Sequence, residues 1–97
     1  MVLNKYDANV HMNWSEFTTW QRWDEFPERE DNPPLTQDFS FLFDGEEYYC
    51  DFSFDKFHIW KDNESIKDNS NFLLLLTTPL FEEQSFKDLI QNFIFED

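Results

Sequence analysis

Glycine is almost missing from this chain: Gly45 is the only one in 97 residues. A loop that cradles phosphate needs several glycines so that its backbone N–H groups can reach the ligand, and that class of nucleotide site is excluded. Cysteine is as scarce. Cys50 alone cannot form an intrachain disulfide, which fits a reducing compartment. His11 and His58 are the only histidines, too few and too distant for a four-ligand zinc site with one cysteine. The acidic stretches EREDN and DNES lack the spacing of a calcium-binding EF-hand loop. The longest apolar run, FLLLL from Phe72 to Leu76, falls far short of the ~20 residues a membrane helix requires. The opening MVLNKYDANVH carries no apolar core of the export type, so the cytoplasm is the expected compartment. No cofactor, metal or membrane contact is expected.

Positive charge is the next scarcity. Seven Lys and Arg stand against twenty-one Asp and Glu, a net charge of −14 where small domains usually stay within about 2–8 of neutral. Such a chain repels nucleic acid and anionic membranes, and neither is expected as a direct partner. The acids are concentrated. Between Asp24 and Asp51 ten carboxylates are opposed by Arg29 alone, a net of −9 over 28 residues.

What the chain has in abundance is aromatic residues: 21% of the total, thirteen of them Phe. A disordered acidic chain is poor in rings, so this one is expected to fold as a single α+β domain over residues 1–97. Residues 1–12 show no periodicity and read as a loose lead-in. In WSEFTTWQRWDEF the rings Trp14, Phe17, Trp20, Trp23 and Phe26 recur every third residue, a step that drifts 60° per repeat round an α-helix. Asn13 and Glu16 form a capping box with Met12 and Phe17 as staple, and Pro27 sets the far limit, predicting a helix over Trp14 to Glu25. Residues 27–38, with three prolines and four acids, read as an acidic, partly extended linker.

From Phe39 the period becomes two. Phe39, Phe41 and Phe43 share one face, Asp44-Gly45 is a hairpin turn, and Tyr48, Cys50, Phe52 and Phe54 share one face of the return strand. A second turn near Asp55-Lys56 leads to a strand FHIWK. Lys61 to Asn71 reads as polar loop, and FLLLLTT as a covered central strand ended by Pro79. Ser85 and Asp88 cap a closing helix whose apolar face is Phe86, Leu89, Ile90, Phe93 and Ile94. The expected architecture is α+β: a four-stranded, mainly antiparallel sheet with an N-terminal and a C-terminal helix packed on it. Cys50 and His58 lie eight residues apart across the second turn and could in principle form a nucleophile and base, but Cys50 falls on the aromatic face, where a buried thiol is the ordinary outcome. Carboxylates are everywhere and single out no acid–base pair. No catalytic residue is assigned, and the protein is expected not to be an enzyme.

A folded surface dense in carboxylates offers a field comparable to that of DNA and attracts the basic groove of a nucleic-acid-binding protein. The candidate contact residues are Glu28, Glu30, Asp31, Asp44, Glu46, Glu47 and Asp51, with Tyr49, Trp60 and Phe26 as anchoring rings. In size, charge, aromatic content and its acidic hairpin the chain resembles small phage-encoded DNA mimics, among them anti-CRISPR proteins, and also immunity proteins for nuclease toxins. The resemblance carries no diagnostic motif. It implies a stoichiometric block of a basic nucleic-acid-binding protein, a Cas effector or a nuclease, in the cytoplasm of the host cell. The alternatives are toxin immunity, or an acidic soluble domain with no such partner.

Overall fold

Three two-residue turns of one kind organise the middle of the chain. Asp44-Gly45, Phe54-Asp55 and Asp62-Asn63 all have positive φ at both central residues (53° and 79°, 54° and 64°, 52° and 67°). This is the turn whose twist matches that of antiparallel strands. The computed structural model describes residues 9–96. In chain order its strands are β1 (Asn9–Val10), β2 (Phe39–Phe43), β3 (Glu46–Ser53), β4 (Lys56–Lys61), β5 (Glu64–Asn69), β6 (Pro79–Phe81), β7 (Gln84–Ser85) and β8 (Ile94–Glu96). Its α-helices are α1 (Trp14–Trp20), α2 (Phe72–Thr77) and α3 (Phe86–Leu89), with 3₁₀ turns at Trp23–Glu25, Pro27–Arg29 and Ile90–Asn92. The main sheet runs β1-β8-β2-β3-β4-β5, antiparallel throughout, and β6 and β7 form a separate small ribbon.

The α+β class is as expected, but the sheet is wider than four strands and several elements differ. Residues 61–71 are not a loop. Asp62-Asn63 turns the chain, Asp and Asn being the residues that tolerate the left-handed region, and β5 pairs with β4 as the sheet's edge. FLLLL is not a strand but α2, because the Asn71 side chain accepts from the Leu74 N–H and starts a helix. The hairpin turn after β3 lies at Phe54-Asp55, one residue before the expected position. The closing helix is confined to Phe86–Leu89 and its 3₁₀ extension, and Ile94–Glu96 leaves it to become β8 between β1 and β2. The lead-in over 1–12 lies mostly outside the described residues. Within them Asn9–Val10 pairs with β8 and Met12 is buried, so this end is anchored.

α1 stops at Trp20 rather than Glu25. Arg22 takes φ 61°, breaks the helix and folds Trp23 back, so that Trp14 and Trp23 meet edge to face at 5.6 Å. The reversal cancels the drift of the three-residue beat. The linker is held in place by Gln21, which is fully buried. Its amide donates to the Gln37 carbonyl at 3.0 Å and its Oε1 accepts from the Thr36 N–H at 2.9 Å.

All three helices lie on one face of the sheet. Phe39, Phe41, Tyr48, Cys50, Phe57, Ile59 and Phe95 meet Phe17, Phe72, Leu75, Leu76, Phe86 and Phe93 in one core. Phe57 stacks on Phe72 at 5.0 Å, joining β4 to α2. Lys67 pins β5 to the end of α2, donating to the Leu75 carbonyl at 2.8 Å and to the Thr78 carbonyl and hydroxyl, each at 2.6 Å. Burial lowers its pKa.

The two expected capping boxes are present, Asn13 with Glu16 and Ser85 with Asp88. The Ser85 N–H holds the Asp88 carboxyl below the usual range. Its folded pKa is depressed, so its contribution is present above the unfolded value near ~3.9 and is lost as pH falls through the folded one. The melting-temperature difference between wild type and Asp88→Asn is therefore expected to be full at neutral pH and to close on acidification below about 4. A difference independent of pH would show that the carboxylate charge contributes nothing to the cap.

Candidate functional site

Among the described residues no helix covers the other face of the main sheet, and alternation decides what it shows. Tyr48 and Cys50 point inward on β3, so Glu47, Tyr49, Asp51 and Ser53 point outward. Register places Tyr49 opposite Trp60 and Asp51 opposite His58. The Trp60 indole N–H donates to Asp51 Oδ1 at 2.7 Å, and His58 stacks on Trp60 at 4.8 Å. His58 is 7% exposed although it lies on the open face. Its Nε2 donates to the Ser53 carbonyl at 3.1 Å and its Nδ1 meets Ser65 Oγ at 2.7 Å. Tyr49 donates its hydroxyl to Asp38 Oδ2 at 3.0 Å. Burial of the ring, and then this bond, raise its pKa.

Beside them lies an open hollow of about 550 Å³, lined by Glu47, Tyr48, Tyr49, Asp51, Trp60, Asp62 and Asn63. Among the described residues that line it, three are carboxylates and none is Lys or Arg. Four of the sequence-chosen contact residues, Glu47, Tyr49, Asp51 and Trp60, are thus brought together. Asp62 was missed, because the loop that held it is a hairpin turn.

The chain matches no protein-family model, no curated protein and no solved structure. Its own geometry therefore carries the functional argument. The remaining candidates lie elsewhere. Asp44 is exposed in the first turn. Glu46 falls on the Tyr48 side of β3 and pairs with Lys61 at 3.1 Å. Phe26 and Glu30 line a second hollow of about 410 Å³ over the helical layer, together with Trp14, Trp23, Arg29 and Lys87. Glu28 and Asp31 are exposed nearby in the linker, and the Asp31 carbonyl accepts from the Asn71 amide at 2.8 Å. No residue lines both hollows. The acidic residues 24–51 thus do not gather round one hollow. The sheet-face hollow has carboxylates alone, whereas the linker hollow mixes both signs. Neither Phe26 nor Trp14 is a bare ring: both are half-buried, and Lys87 lies 5.2 Å over the Trp14 ring.

Cys50 and His58 do not form a dyad. Cys50 pairs with Ile59 and points into the core, while His58 pairs with Asp51 on the opposite face. Burial pushes the Cys50 thiol well above its ordinary pKa, which leaves it a packing residue. Among the described residues no group of three or more His, Cys, Asp or Glu is placed to hold a metal ion. No described helix is long and apolar enough to cross a membrane.

Proposed function

We propose that this protein acts without turnover, by binding a basic nucleic-acid-binding protein, such as a Cas effector or a nuclease, and occupying its nucleic-acid site. The observation that carries this reading is the open sheet face, where Glu47, Asp51 and Asp62 surround Tyr49 and Trp60 with no Lys or Arg among the described lining residues. Carboxylates on a low-dielectric, ring-rich surface raise the encounter rate with a cationic partner by roughly 10–10³. An arginine drawn to such a face meets a carboxylate and an aromatic ring together, so an ion pair and a cation–π contact are both open to it. Tyr and Trp at the centre of the patch are the residue types that dominate interface energies.

The experiment is capture on the immobilised protein, with the bound proteins identified and then competed with DNA and salt. Basic nucleic-acid-binding proteins are the expected catch, released by either competitor. Glu47→Lys with Asp51→Lys should weaken capture by about a hundredfold, since like charges at a contact cost several kcal/mol. Glu28→Lys with Glu30→Lys makes the same change of charge on the helical side and should leave most of the capture intact. Equal losses in the two variants would mean that total charge, not the sheet face, drives binding. Captured proteins with no nucleic-acid site would defeat the reading.

A further inference from the structure

The tip of the β3–β4 hairpin has a residue that its backbone does not favour. Phe54 has φ 54° at the first central position of the turn, where Asn, Asp or Gly is the usual occupant. A bulky side chain in the left-handed region is an outlier, and such positions concentrate where a protein works. Core packing does not explain the choice, because Phe54 is 85% exposed. Among the described residues its nearest ring is His58, edge-on at 6.4 Å. Phe54, His58 and Trp60 therefore form a row along the open face, with Tyr49 opposite Trp60 and Asp51 opposite His58. Rings and carboxylates interleave along two neighbouring strands.

That interleaving distinguishes between two kinds of nucleic acid. A duplex presents phosphates outside and base edges in its grooves, and stacking hides the faces of its bases. A single strand presents phosphates together with open base faces, and the proteins that bind it use a basic groove studded with aromatic side chains. Carboxylates alone would suffice to imitate a duplex. Exposed rings beside carboxylates imitate a single strand.

Resting on the function proposed above, we infer that the partner's blocked site is one for single-stranded nucleic acid, and that Phe54 enters it as an unstacked base would. The occupant of this face is thus a basic groove with an aromatic platform, matched by charge to Glu47 and Asp51 and by stacking to Phe54. The strained turn holds the ring out from the sheet, ready to be received.

The test uses the captured partner on the immobilised protein. Oligothymidylate and a duplex of the same length are compared as displacing agents at equal phosphate concentration. The single strand is expected to release the partner at a concentration about tenfold lower or more. Phe54→Asn should capture about tenfold less, while its melting temperature rises by about 4 °C because Asn tolerates the left-handed turn. Phe54→Tyr should capture as wild type does. Equal displacement by the two DNAs, or undiminished capture by Phe54→Asn, would overturn the inference. If Glu47→Lys with Asp51→Lys still loses capture in that case, the broader function stands and only the single-strand assignment falls. A wild-type protein that captures no nucleic-acid-binding protein overturns both.

Discussion

Replacing Phe17 with Ala is expected to cost about 3–5 kcal/mol, the range for deleting a fully buried aromatic ring. Phe17 has no exposed surface and sits where every layer meets. Its ring centroid lies 5.3 Å from Phe39 on β2 and from Phe86 on α3, 5.9 Å from Phe95 on β8, and 5.6 Å from Trp14 on its own helix. The void would be walled by other large rings, which cannot fill it without leaving their rotamers. A domain of this size has a total stability of roughly 5–15 kcal/mol, so the variant should sit near the edge of folding. Urea titration measures the effect, with Phe52→Ala as the control, since Phe52 is 53% exposed and should cost far less. Equal losses at the two positions would show that Phe17 is not the centre of the core.

The second large effect is polar. Gln21→Leu keeps the approximate volume but removes the amide that binds the linker. The Thr36 N–H and the Gln37 carbonyl lose their partner, and the longer contact from the Gln37 N–H, at 3.3 Å, goes with them. A buried group left without a partner costs about 1–3 kcal/mol. Because Thr36 and Gln37 are themselves exposed, water recovers part of this, and a total of about 2–4 kcal/mol is expected. Hydrogen exchange gives a sharper reading than stability alone. Amides of residues 35–38 should lose protection while those of β3 and β4 keep theirs. Uniform loss would mean that the linker and sheet unfold as one unit.

These two residues also show where the chain is legible and where it is not. Phe17 belongs to a helix announced by Asn13 and Glu16, and Ser85 with Asp88 announces the other cap as clearly. Caps are local chemistry, settled by residues three apart. Gln21 looks like any surface glutamine, and only the return of the linker sixteen residues later makes it a buried clasp. FLLLL shows the limit of periodicity: a run without polar residues fits a buried strand and a buried helix equally, and one hydrogen bond from Asn71 decides. Ile94 fits the helical spacing of Phe86, Leu89, Ile90 and Phe93, yet β1 and β2 flank β8 on both sides and pull it into the sheet. On the candidate site, alternation along β3 correctly puts Glu47, Tyr49 and Asp51 on one face. The division between sheet-face and linker acids follows from where the helices pack, which no stretch of sequence states by itself. Phe54 continues the alternation of Tyr48, Cys50 and Phe52 and so reads as strand, but β3 ends at Ser53 and Phe54 opens the turn, where an aromatic is the last residue expected.

The position of β8 also sets the order in which the fold can be completed. The strands β2 to β5 follow one another through two-residue turns, so their ladders close small loops and can form early. Phe41 on β2 must instead wait for Phe95, and Val10 pairs with that same residue. Made residue by residue on a ribosome, the chain can shape its acidic, ring-bearing hairpins while one edge of their sheet is still unpaired. Closing the sheet falls to a three-residue strand, and until that strand leaves the exit tunnel Phe17, Phe39 and Phe86 have no Phe95 to cover them.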